Sequence, residues 1–123
     1  MHSVYIPYLI TSPIQKMTSH KICDLNDDHR KDIPRMKTII TRGIDRLGPI
    51  VVSEIMEKVR NFDNFNSDND PYGEHDYGSF SHEDEKLYWK IDYQNKDLNG
   101  GSEDASDPEK TSRILTIAKV SEY

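Results

Sequence analysis

KLYWKIDYQ, residues 86–94, decides the fold. Leu87, Trp89, Ile91 and Tyr93 alternate with Tyr88, Lys90 and Asp92. A period of two puts each set on its own face of an extended strand, so one apolar face must be covered. Upstream, His75–Ser81 is a short aromatic run. The polar His82-Glu83-Asp84-Glu85 separates the two, which is the pattern of a β-hairpin. The cover lies further back. Gly48 precedes Pro49, and a proline at the first helical position loses nothing by lacking an N–H. Val52, Ile55, Met56, Val59 and Phe62 then recur at helical spacing, with Glu54, Glu57, Lys58 and Arg60 on the opposite side. The expectation is a helix over Pro49–Phe62 with its apolar face on the hairpin and Trp89 as the anchor beneath it.

The flanking segments complete the layout. Ser19 can cap a short helix over about 20–31 whose apolar stripe is thin: Ile22, Leu25 and His29. Pro34 stops it. Met36–Thr41 is rich in β-branched residues and reads as a strand. Ile114–Val120 reads as a last strand, with a helix as the alternative because Ile114, Ile117 and Ala118 also fit helical spacing. The sum is an α+β fold of two layers: a mostly antiparallel sheet of three to five strands with one main amphipathic helix packed on it. A chain of 123 residues fits one such domain. Residues 17–123 are assigned to it. Residues 1–16 carry little charge and two prolines, and read as an extension or arm that could pack on a partner through Tyr5, Ile6, Tyr8, Leu9 and Ile10.

Charge is unevenly spread. The chain has 16 Lys plus Arg and 22 Asp plus Glu, a net charge of −6. Residues 1–60 hold 10 basic and 7 acidic residues, whereas residues 63–109 hold 14 acidic and 3 basic ones. Such a block repels nucleic-acid phosphates and suits a cation or a basic protein surface. No apolar run reaches the roughly 20 residues that a membrane-spanning helix needs. Cys23 is the sole cysteine, which excludes an internal disulfide and a cysteine-rich zinc site.

DNDPYGEHDYG, residues 68–78, is densest in functional groups, and three readings compete there. The favoured one is structural: Asp and Asn side chains bond to nearby backbone and hold an ordered loop, with Tyr72 and Tyr77 over the core edge. The second is a metal site using Asp70, Glu74, His75 and Asp76, since carboxylates suit Mg, Mn or Ca and an imidazole favours Zn, Mn or Fe. A calcium-loop template starting at Asp68 fails, because it puts Tyr72 at the fifth position, where an oxygen ligand belongs, and Ser79 at the twelfth, where a bidentate Glu belongs. The third, least favoured, is acid–base chemistry by His75 beside Glu74 or Asp76.

A resemblance adds context. LNDDHR (25–30), TRG (41–43), LG (47–48), FDNFNSDNDPYGEHDYGSF (62–80), WKIDYQNKDL (89–98), GSEDASDP (101–108) and RILTIA (113–118) together resemble a bacterial family of small proteins known as domain of unknown function 3768. The likeness runs from about Ile22 to Tyr123. Members of that family are often carried on plasmids and other mobile elements, and because it has no assigned activity the resemblance hands down no catalytic residue.

The functional expectation is a small acidic accessory or inhibitory domain in the cytoplasm, with an enzyme the less favoured reading and no cofactor expected other than a divalent metal at residues 68–78. It would bind a basic, nucleic-acid-handling protein through Asp63, Asp68, Glu83, Asp84, Glu85, Glu103 and Asp104, without touching nucleic acid or membrane itself. Acidity of this kind can mimic a phosphate backbone. The alternative is a small metal-dependent hydrolase built on residues 68–78. A homo-oligomer that exchanges the N-terminal arm is a further possibility.

Overall fold

A computed structural model describes residues 13–33 and 37–123. Helix α1 spans Pro13–Lys31, strand β1 Lys37–Ile40, the short helix α2 Arg42–Asp45 and helix α3 Pro49–Arg60. Strands β2 (Tyr77–His82), β3 (Glu85–Gln94) and β4 (Ser112–Lys119) follow, and a 3-10 turn over Val120–Glu122 closes the chain. The four strands form one sheet in the order β1-β4-β3-β2. β2 pairs with β3 and β3 with β4 antiparallel, while β1 runs parallel to β4. The sheet is therefore mixed, and the fold is a small α+β architecture.

The alternation of residues 86–94 sets the core. Leu87, Trp89 and Ile91 are buried with Leu115 and Ile117 of β4, under Ile55 and Val59 of α3 and Ile44 of α2. α3 starts as its sequence indicates. Gly48, at φ 91°, adopts a backbone that side-chain-bearing residues avoid, and its carbonyl accepts the first helical bond from Val52 at 2.9 Å. Gly78 is needed for a different reason. A Cβ there would stand 2.5 Å from Trp89 Nε1 and 2.7 Å from the Phe62 ring.

Four details differ from the sequence reading. α1 begins at Pro13, so Ser19 lies inside the helix and caps nothing, and residues 13–16 of the expected arm are helical. The rest of that arm, with Tyr5 to Ile10, lies outside the described residues, as do Pro34 and Met36. β2 begins at Tyr77, which leaves His75 and Asp76 in the loop before it, and the turn shrinks to Glu83-Asp84. Tyr72 is exposed, and Tyr77 sits on the helix-free face of the sheet against Tyr88, with ring centroids 6.0 Å apart. The helical alternative for 114–120 is settled by pairing, because β4 is hydrogen-bonded on both sides. No helix among the described residues is long and apolar enough to cross a membrane.

Candidate functional site

α1 buries a polar stripe. Ile22, Cys23, Asn26 and Arg30 face inward, whereas Leu25 and His29 are only half-buried. Residues 23, 26, 27 and 30 follow helical spacing, so one face carries a thiol, an amide, a carboxylate and a guanidinium over the sheet. Two linked networks result.

The first is centred on Asn26, which is fully buried. Its amide nitrogen donates to the Glu74 carbonyl at 2.9 Å and to the Tyr93 hydroxyl at 2.8 Å. Its oxygen accepts from Arg113 Nε at 2.7 Å. The Tyr93 hydroxyl in turn donates to Glu74 Oε1 at 2.9 Å. Arg113 reaches on to the carbonyl of Ala105 and lies over the Tyr93 ring. One amide thus ties α1, β3, β4, the 61–76 loop and the 95–111 loop together. Burial pushes the Glu74 carboxyl above its ordinary range, and the Tyr93 hydroxyl partly opposes that shift.

The second network surrounds His75. Its Nδ1 lies 2.9 and 3.1 Å from the two Asp27 carboxylate oxygens, and its Nε2 3.5 Å from Asp70 Oδ2. Phe65 stacks flat on the ring, centroid to centroid 3.7 Å at 5°. The His75 backbone is left-handed, φ 55°, and is held there because Asp70 Oδ1 accepts the N–H groups of both Glu74 and His75. Arg30 is buried between Phe65 and Trp89. It donates to Asp27 at 3.1 Å and to the carbonyls of Val59 and Arg60 at 2.8 and 3.1 Å, closing the C-terminal end of α3. Cys23 donates its S–H to Asp27 Oδ2 at 3.7 Å. Burial, with Asp27 and Asp24 alongside, pushes this thiol up to about 12, so it stays protonated at neutral pH and is a poor nucleophile.

The four metal candidates do not gather around one point, although Asp70 and His75 stand 3.5 Å apart. Asp70 braces the loop backbone, the Glu74 carboxylate takes the Tyr93 hydroxyl and His75 faces Asp27. The Asp76 carboxyl is raised by burial, with Asp70 and Asp92 adding to the shift. The upstream part of the loop is laced by Asn66 and Asn69, whose side-chain oxygens accept backbone N–H groups. Among the described residues, the metal-ligating atoms that cluster belong to Cys23, Asp27 and His75. Sequence reading missed Asn26, Asp27, Arg30 and Arg113. The available signal was the helical spacing of polar residues from Cys23 to Arg30.

The seven surface acids fall into two groups. Asp63 and Asp68 are exposed on the 61–76 loop, and Glu103 and Asp104 on the 95–111 loop. Both loops hang from the Asn26 network at one end of the sheet. Glu83 and Asp84 form the hairpin tip at the far end of β3, roughly 30 Å away along ten residues. Glu85, beside them, pairs with Lys119 at 3.1 Å. Glu103 pairs with Lys110 at 3.3 Å, and Asp104 accepts from Ser106.

These features define a small α+β protein whose irregular loops are pinned by buried polar groups. Residues 40–122 match the family described as a protein of unknown function, DUF3768, and the chain belongs to that family. The match starts at the end of β1, so α1 precedes it. No curated protein and no solved structure matches the chain.

Proposed function

We propose that this protein is a non-enzymatic binding domain, a bacterial accessory or inhibitory factor of a mobile element that acts in the cytoplasm. Its acidic end would engage the basic surface of a nucleic-acid-handling protein. One observation carries the reading. The 61–76 and 95–111 loops share one end of the fold and expose Asp63, Asp68, Asp97, Glu103, Asp104 and Glu109 against Lys96 and Lys110. A surface of that sign attracts a basic partner and accelerates encounter with it. The Asn26–Arg113 network supports the reading further, since loops pinned before binding lose less conformational entropy on docking. The hairpin-tip acids Glu83, Asp84 and Glu85 are left out of the proposed surface because they lie at the other end.

The test compares the wild type with an Asp63→Asn, Asp68→Asn, Glu103→Gln, Asp104→Asn variant as baits in extract of the host cell. Asn at 104 keeps the oxygen that accepts from Ser106, so the fold is preserved. The expected outcome is a basic protein retained by the wild type and lost by the variant. Identical retention by both baits would overturn the reading.

A further inference from the structure

We propose that Cys23, Asp27 and His75 form a binding site for a borderline-soft divalent transition ion, best matched by Zn2+, with Asp70 as the positioning residue for the imidazole. A sulfur, a carboxylate oxygen and a ring nitrogen lie within 4.8 Å of one another. They come from two separate elements, since Asp27 on α1 and His75 in the loop are 48 positions apart. Zinc takes thiolate, imidazole and carboxylate at about 2.0–2.3 Å in a tetrahedron, whose donor–donor edges run about 3.3–3.8 Å. The Asp27 Oδ2 to Nδ1 and Oδ2 to Sγ separations are 3.1 and 3.7 Å, so side-chain adjustment alone suffices.

The Cys23 S–H faces Asp27 Oδ2 at 3.7 Å, and the His75 ring nitrogen spans both Asp27 oxygens, Oδ1 at 2.9 Å and Oδ2 at 3.1 Å. Arg30 donates to Oδ1 at 3.1 Å, so Oδ2 is the oxygen that Cys23 and His75 share without it. Asp24 and Asp70 add negative charge near the thiol. Ion binding releases the thiol proton to solvent and displaces the Nδ1 proton that faces Asp27, leaving the neutral ring protonated on Nε2, which faces Asp70 Oδ2 at 3.5 Å. A carboxylate behind a metal-bound histidine fixes the tautomer and strengthens the ligand. An open cleft of about 370 Å3 reaches Asp27 and His75, with Arg30, Lys31 and Arg60 also on its walls; Cys23 lies behind them. The site is independent of the acidic-end reading, and either can fail alone.

Titration of the full chain with Co2+ under reducing conditions tests it. Cys23 is the only cysteine, so a thiolate-to-cobalt charge-transfer band reports on this residue alone. The expected result is one Co2+ per chain with that band, displaced by Zn2+. Zn2+ affinity is expected to fall about 100-fold or more in Cys23→Ser and in His75→Asn, the latter chosen because Asn accepts left-handed backbone. A fall of about tenfold is expected in Asp70→Asn. Zn2+ should raise the melting temperature of the wild type and leave that of Cys23→Ser unchanged. Absence of the charge-transfer band, or equal Zn2+ affinity in the wild type and Cys23→Ser, overturns the proposal. The second result would assign the ion to exposed groups such as His20 and Asp24, which stand 3.7 Å apart on α1.

Discussion

Asn26 bonds through both ends of its amide to Glu74, Tyr93 and Arg113 and is fully buried. Replacing it with Leu keeps the volume and removes every one of those bonds. The Arg113 guanidinium then loses its partner at Nε inside the protein, where a stranded charged donor is costly. Asn26→Leu is expected to lower stability by about 3 kcal/mol, measured by urea denaturation. Glu122 works at the opposite edge of the molecule. Its carboxylate accepts from the Thr41 hydroxyl at 2.7 Å, the Lys119 N–H at 2.8 Å and the Gly43 N–H at 3.0 Å. The Thr41 hydroxyl and then the backbone N–H groups hold it below the usual carboxylate range. A depressed native pKa contributes stability that is complete above the unfolded value of about 4.3 and is lost as pH falls through the native one. The stability gap between wild type and Glu122→Gln should therefore be constant near neutrality and close in acid, in denaturation curves recorded across pH. Neither residue was legible in the sequence as a contact. Periodicity counts apolar positions, so Asn26 and Arg30 were passed over although they occupy the buried stripe of α1. Glu122 is joined to Thr41 across 81 positions, a separation that no local pattern encodes.

At the scale of elements, legibility followed locality. α3 and the β2–β3 hairpin were readable because each satisfies one short-range period and carries its own stop signals. α1 was misjudged at its start, where Ser19 offered a cap that the helix does not use. The β1–β4 pairing was invisible for a different reason: parallel strands join through distant segments, here Lys37 opposite Ile114. The hairpin tip holds a feature that composition concealed. Glu83 and Asp84 both sit at positive φ, 49° and 69°, as a two-residue primed turn requires. Glu disfavours that backbone, and Asp tolerates it less well than Gly. Glu83→Asn with Asp84→Gly should stabilise the protein by about 1 kcal/mol, read as a higher urea midpoint at unchanged slope. Binding by the acidic end should be unaffected, because the tip lies at the other end of β3.

For the whole molecule, the net charge of −6 is a poor guide to behaviour. The sequence placed the acids in one block of chain, and the fold divides that block between two ends of a sheet. The end with the 61–76 and 95–111 loops is held by the Asn26 network, so its charge is presented on a fixed frame. Half of the 68–78 stretch was legible as turn chemistry. The partners of His75 were not, because Asp27 and Cys23 come from α1. The most direct test of the binding account is the salt dependence of the dissociation constant for the captured partner. Screening weakens exposed charge pairs within a Debye length of about 8 Å at physiological ionic strength. The account expects affinity to fall steeply with salt for the wild type and for the hairpin-tip variant, and to be weak and nearly salt-independent for the variant neutralised at Asp63, Asp68, Glu103 and Asp104. Wild-type affinity that does not change with salt would contradict it.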